Sequence, residues 1–401
     1  MTSPVPGSGG DSFFTQLLGD LMSLMGGGPD RVELARQLAQ GVATGGHPEP
    51  NVDPVERIRL EELLRVAELH VAELTGLSPT PDGSALSVDA VGPGAWARRT
   101  VDDWSFVLDA MTHTEGAPPE PDPAVGAAGD AEDEAGGAEV LARFVAGMGP
   151  MFAGLQLGSA VGHLARTTLG QYEIPIWRPS HGLLMVPGNV TRFAEDWSLP
   201  ADDVRLWVCL REVTVHAVLG RPHVRRRITE LVTEVVRGMA GDAAGVIEQL
   251  QRMDLNDPSS LEDVLGDPSV LLGTEPSPER RRASEDLGAV TSALLGYVEH
   301  VLDRTATRLL GGRGALAEAW RRRQVDRDTP ARTAELLFGL DLGPADVDRG
   351  TAFVSGVLSR AGEEGLSKLW SQVATLPTPA EVEAPGLWLE RISFEEPPGS
   401  S

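Results

Sequence analysis

Between Arg57 and Leu74 the apolar residues Leu60, Leu63, Leu64, Ala67 and Val71 recur every three or four positions. That period puts them on one face of an α-helix, and the face must be buried against other elements. The same rhythm returns along most of the chain, and β-prone runs are confined to one short region. A chain patterned this way folds as packed helices. Aromatic residues make up only 5% of its 401 residues, so Leu, Val and Ala build the core.

Gly, Pro and polar clusters mark the breaks. Phe13 to Met25 reads as a short amphipathic helix ended by Gly26-Gly27-Gly28, and Pro29-Asp30 opens a second. Residues 44–54 form a loop, and 94–112 predict a helix carrying Trp96, Trp104, Val107 and Leu108. Residues 115–139 are rich in Pro, Gly, Ala and acid, and cannot bury enough apolar surface to order themselves. They read as a disordered acidic insertion between an N-terminal helical region, 1–114, and a helical core, 140–395, which together make one continuous domain.

Within the core, Tyr172 to Trp177 and Gly182 to Val186 are β-prone and flank Arg178-Pro179-Ser180-His181, which predicts a small hairpin. Leu199 to Val204 starts a long helix, and Gly220-Arg221-Pro222 breaks it. Helical rhythm continues over 223–239, 243–253 and 284–310, with a loop at 255–279 and three or four more helices to about residue 373. The predicted fold is mainly α, with the hairpin just before the long helix.

Phe144 to Ala165 carries no formal charge and repeats glycine at 154, 158 and 162, as close-packed membrane helices do. Pro150, Gln156, Ser159 and His163, with abundant Gly and Ala, instead favour a central helix of a soluble protein. Its glycine row would let another backbone approach closely. The net charge of −25 opposes nucleic acid or an anionic membrane as the main partner. The single cysteine, Cys209, excludes an internal disulfide and a cysteine-rich zinc module, and its apolar setting predicts an inert thiol. The N-terminus lacks the basic region of a signal peptide, so a cytoplasmic protein is expected.

The long helix contains LWVCLREVTVHAVLG, Leu206 to Gly220. In H-E-x-x-H, two histidines four apart bind zinc and the glutamate between them polarises a water. Here Glu212 is kept, but Arg211 and Val215 stand where the histidines would be, and His216 comes one position late. Positions 211 and 215 lie about 40° apart around a helix, whereas 216 is about 140° from 211 and cannot replace either ligand in place. Glu212 and His216 could pair on another face. Taken alone, this stretch is no metal signal.

The wider chain resembles a largely actinobacterial family of zincin-like hydrolases of unknown function, labelled zinc-dependent metalloproteases. The likeness runs through DSFFTQLLGDLMSLMGGGPDRVELARQLA, VERIRLEELLRVAELHVAELTGL and AGLQLGSAVGHLARTTLGQYEIPI. It continues in LLMVPGNVTRFAEDWSLPADDVRLWVCLREVTVHAVLG, LLGYVEHVLD and LAEAWRRRQ. Relatives read W-V-x-L-H-E-V-T-H-H-A along this helix. The resemblance therefore implies that Arg211 and Val215 occupy zinc-histidine positions, Glu212 the general-base position, and His216 the histidine after the motif. It also aligns Leu295-Gly296-Tyr297-Val298-Glu299 with a downstream E-G-x-V-D, which puts Leu295 at the third ligand position and Glu299 at a supporting carboxylate.

Leucine and valine cannot ligate zinc, and a guanidinium is permanently charged. Without the metal, Glu212 has nothing against which to polarise water. The expectation is a pseudoenzyme that needs no cofactor, although active relatives use zinc, and that serves to bind or scaffold an unidentified protein or peptide. Arg211 is expected to replace the cation electrostatically by pairing with Glu299 or Glu212, the plainer alternative being that it reaches solvent. The competing expectation is an active hydrolase whose metal has moved to Glu212, His216, Glu299 or His300.

Overall fold

The computed structural model describes residues 31–80, 83–112, 153–179, 182–241, 277–310, 313–326 and 329–395. The first described helix is α1 (Arg31–Thr44), which covers the helix expected after Pro29-Asp30. Helix α2 (Pro54–Thr75) is bounded by local chemistry. Asp53 accepts a hydrogen bond from the Val55 amide at 2.8 Å, Pro54 fills the first turn, and Gly76 closes the helix at a φ of 67°. The stripe Leu60, Leu64, Ala67 and Val71 is fully buried.

Strand β1 (Ser87–Ala90) follows, then α3 (Pro93–Asp103) and α4 (Ser105–Thr112), so the single helix expected over 94–112 is two, broken at Trp104. Helix α5 covers 153–167. After it come β2 (Gly182–Met185), α6 (Pro187–Asp196), α7 (Ala201–Leu219) and α8 (Pro222–Gly241). Next are α9 (Pro278–Leu309), α10 (Arg313–Val325), α11 (Thr329–Leu337) and α12 (Pro344–Ser367). Two further helices, α13 (Pro379–Glu383) and α14 (Pro385–Glu395), extend past residue 373. The predicted helix at 13–25, the acidic stretch 115–139, the segment 243–253, most of the loop at 255–279 and Ser180-His181 lie outside the described residues.

The fold is mainly α with one small β element, but the strand pairing differs from the predicted hairpin. β2 pairs with β1, in parallel, with Ser87 opposite Gly182 and Ala90 opposite Met185. Residues 172–177 are not a strand. Pro175 and Pro179 cannot donate to a ladder, and the backbone between them and Leu169 is spent on other partners, as described below. β2 is buried at all four positions, as parallel strands covered on both faces are.

One buried apolar cluster runs from Ala35 to Ile392 and includes residues of α7 throughout. Every residue of α7 from Leu206 to Leu219 is buried, so it is the central helix rather than an amphipathic one. Asp202 and Asp203 favour its positive N-terminal end, and Asp202's partners Arg59 and Arg205 tie that end to α2, since Arg205 also bonds Glu56 at 2.8 Å.

The glycine row of α5 does what the sequence suggested. A Cβ at Gly154, Gly158 or Gly162 would lie 2.8, 2.7 and 2.8 Å from the carbonyl oxygens of Arg31, Ala35 and Ala39 on α1. Arg31 also donates to Thr112 Oγ1 at 2.6 Å, so α1, the end of α4 and the start of α5 meet at one residue. The same device joins α9 to α12, where a Cβ on Gly350 would sit 1.8 Å from the Ser292 carbonyl oxygen. No helix among the described residues is long and apolar enough to cross a membrane. Gly158→Val should therefore lower the unfolding free energy by about 1–3 kcal/mol through overpacking of α5 on α1. Urea denaturation checks this, and an unchanged midpoint would show that the two backbones are not in contact.

Candidate functional site

The central helix carries two charged side chains into the core. Arg211 is 7% and Glu212 2% exposed. Arg211 Nη1 donates to Glu212 Oε1 at 3.1 Å and to the Tyr172 carbonyl at 3.0 Å. The other carboxylate oxygen, Oε2, accepts the Tyr172 amide at 2.8 Å. The irregular segment before β2 thus gives both its polar groups at Tyr172 to this pair, which is why it is not free to form a strand. Gly170 allows the approach, for a Cβ there would lie 2.5 Å from Glu212 Cδ. Burial pushes the Glu212 carboxyl upward, while the Arg211 charge and the Tyr172 amide pull it back.

The guanidinium of Arg211 also lies over the Trp320 ring, 5.0 Å from its centroid, and Arg323 lies over the same ring at 4.9 Å. Arg323 in turn pairs with Glu173 at 3.0 Å and donates to the Thr167 carbonyl at 2.8 Å. Helix α10 is thereby fastened to the segment that serves the buried pair. None of Tyr172, Glu173, Trp320 or Arg323 was picked out by motif reasoning. Their only signal was position inside the family-like stretches around Tyr172 and in LAEAWRRRQ.

The other singled-out residues divide into two places. His216 is 6% exposed, with Nδ1 2.8 Å from Tyr172 Oη and its ring stacked on Trp177 at 4.9 Å. It therefore faces Tyr172 rather than forming a separate pair with Glu212. Burial pulls its pKa down to about 4. Val215 and Leu295 are buried apolar residues at 1% and 7% exposure, and Cys209 is fully buried, its thiol pushed well up by desolvation. Glu299 and His300 instead line a cleft of about 460 Å³ between α9, α10 and α12. There His300 Nε2 lies 3.4 Å from Glu363. Of the two carboxylates considered for Arg211, it takes Glu212, and the solvent-reaching alternative fails on its burial. Trp320 lines the cleft as well, so its ring separates the buried pair from the open space.

The zincin-like metallopeptidase family matches residues 31–389, nearly the whole of this architecture. The chain belongs to that family. A solved structure described as a "putative hydrolase with a novel fold", from Chloroflexus aurantiacus, superposes with a TM-score of 0.62 over 91% of this chain and 99% of that one. Its sequence identity is 22%, so the likeness is one of fold. No curated protein matches the chain.

The described residues at the positions aligned with zinc ligands do not suit that metal. Of the residues that the resemblance aligns with zinc ligands, Arg211 is a fixed positive charge bonded to Glu212, and Val215 and Leu295 offer no lone pair. Among the described residues no three of His, Cys, Asp and Glu are grouped so as to hold a metal ion. Glu212, His216, Glu299 and His300 are accordingly not brought together.

Removing Arg211 would strand Glu212 in the core. Arg211→Met should cost about 3–5 kcal/mol of stability at neutral pH, and adding Glu212→Gln should restore most of it. Chemical denaturation of the wild type, the single and the double variant reads this directly, and a neutral Arg211→Met would refute the pairing. His216 supplies a pH dependence with a definite sign. Its folded pKa lies below the usual 6.5, so between 6.5 and about 4 the unfolded chain binds the extra proton, and stability falls as pH falls through that window. Relative to wild type, His216→Gln should gain roughly 2–3 kcal/mol as pH is lowered from 7 to 4. Parallel curves for the two proteins would contradict the burial of this imidazole as a neutral base.

Proposed function

We propose that this chain is a catalytically silent zincin-like protein, a scaffold kept for binding a protein or peptide, in the cytoplasm and without a metal cofactor. The observation that supports this reading is Arg211, whose guanidinium sits at the position the family resemblance gives to a zinc ligand and is bonded to Glu212 and to the Tyr172 carbonyl. A peptidase of this type needs Glu212 as a free base beside a metal-bound water. Here the carboxylate is sealed at 2% exposure and is committed to a cation and a backbone amide. Arg211 supplies the charge that zinc would otherwise supply, which lets the fold keep Glu212 without the metal. Glu212 is then vestigial as a general base, and Glu299, the former supporting carboxylate, is released to the cleft.

The competing reading, an active hydrolase with a relocated metal at Glu212, His216, Glu299 or His300, has less support. The first two are sealed around Tyr172 and the second two line the cleft beyond Trp320.

Elemental analysis of protein purified without a histidine tag tests the reading. Substoichiometric zinc and no cleavage of a general peptide library are the expected outcome. One tightly held zinc per chain, or cleavage abolished by chelation and restored by zinc, would sink it. The triple variant Arg211→His, Val215→His, Leu295→Glu should acquire about one zinc per chain, because it returns three donors to one face of the packed α7 and α9 pair. A folded triple variant that stays metal-free would show that Leu295 has been put in the wrong register.

A further inference from the structure

The cleft beyond Trp320 has its own chemistry. Its charged lining is Glu299, Asp303, Glu318 and Asp348 against Arg321 and His300, in a protein already at −25, and Glu299 and Asp303 each have an interaction partner of their own. Glu318 is matched by Arg322 at 2.7 Å, whereas Asp348 makes no ion pair among the described residues. The carboxylates are spread around the walls rather than converging on a point, as they would to hold an ion. One further group faces the space. Gln324, on α10, is 6% exposed and lines the cleft, yet its amide makes no hydrogen bond to any described residue. Its polar end borders the cleft, so whatever enters that space meets an amide with no described protein partner to displace.

We infer that this cleft binds a basic peptide segment, with an arginine or lysine side chain among the carboxylates and the peptide backbone hydrogen-bonded to Gln324. The volume of about 460 Å³ suits a side chain with its neighbouring residues, and lies within the roughly 300–1,000 Å³ usual for ligand sites. An amide can give and accept a hydrogen bond at once, as a peptide unit requires. A cleft in which one sign of charge predominates also concentrates oppositely charged ligands from solution. The apolar wall of Trp320 and Val354 accommodates the methylene stem of the bound side chain. This names the partner class for the binding role proposed above and rests on that reading.

The probe is acetyl-Gly-Arg-Gly-Arg-Gly-amide, titrated into the full-length protein by calorimetry beside its citrulline and aspartate counterparts. The arginine peptide should bind about tenfold more tightly than the citrulline peptide, which has the same shape without the charge, and should weaken with added salt. Asp348→Asn and Gln324→Leu should each weaken it about fivefold or more while keeping the wild-type thermal midpoint. Equal affinity for the arginine and citrulline peptides, no binding at millimolar peptide, or no loss in either folded variant would overturn the assignment. So would stoichiometric uptake of calcium, added as calcium chloride alone, that disappears in Asp348→Asn. Mass spectrometry of the same mixtures separates the two proposals. Bound and intact peptide supports both, and bound but cleaved peptide removes only the catalytic silence. Unbound peptide with metal-free, inactive protein removes only the cleft assignment.

Discussion

A buried ion pair on a helix with no solvent face governs this architecture. Taking Arg211 and Glu212 out of water costs several kcal/mol per charge unless every polar atom is re-partnered. The surroundings are arranged to that end. Tyr172 gives both its backbone groups, Gly170 gives up a side chain, and Trp320 offers its ring. The segment from Leu169 to Trp177 is irregular for this reason. It cannot be both a β-strand and the second half of a polar network.

Much of the helical frame was legible because period and punctuation decide it locally. The stripe of α2, the Asp53 cap, the break at Gly220-Arg221-Pro222 and the glycine row of α5 each need only neighbouring residues to be understood. The β pairing was not legible, since Ser87–Ala90 lies far from Gly182–Met185 in sequence and four residues carry little signal. The helix break at Trp104 and the C-terminal helices were missed for a related reason. Short helices held by tertiary contacts, such as Trp388 donating to the Thr375 carbonyl at 2.7 Å, show weak periodicity of their own.

The site was half legible. The motif drew attention to Arg211, Glu212 and Val215, and helical geometry rejected His216 as a substitute ligand. Which carboxylate Arg211 meets depended on where α9 lies, and helix angles cannot give that. A helix was expected where α10 lies, but not its inward role. Its run of arginines suggests a solvated face, yet Arg323 is turned inward to Glu173, and Trp320 and Gln324 are buried. One helix thus covers the buried ion pair and walls the cleft.

The meeting of three helices at Arg31 has a topological consequence. Its side chain holds Thr112 at the end of α4, and its carbonyl lies against Gly154 at the start of α5. Two segments far apart in sequence, the end of α4 and the start of α5, are thereby referred to one residue, the first through its side chain and the second through its carbonyl. Neither helix end can shift away from α1 without breaking a contact at Arg31. A single position thus sets the spacing of three helices, and a change there is felt in all of them at once.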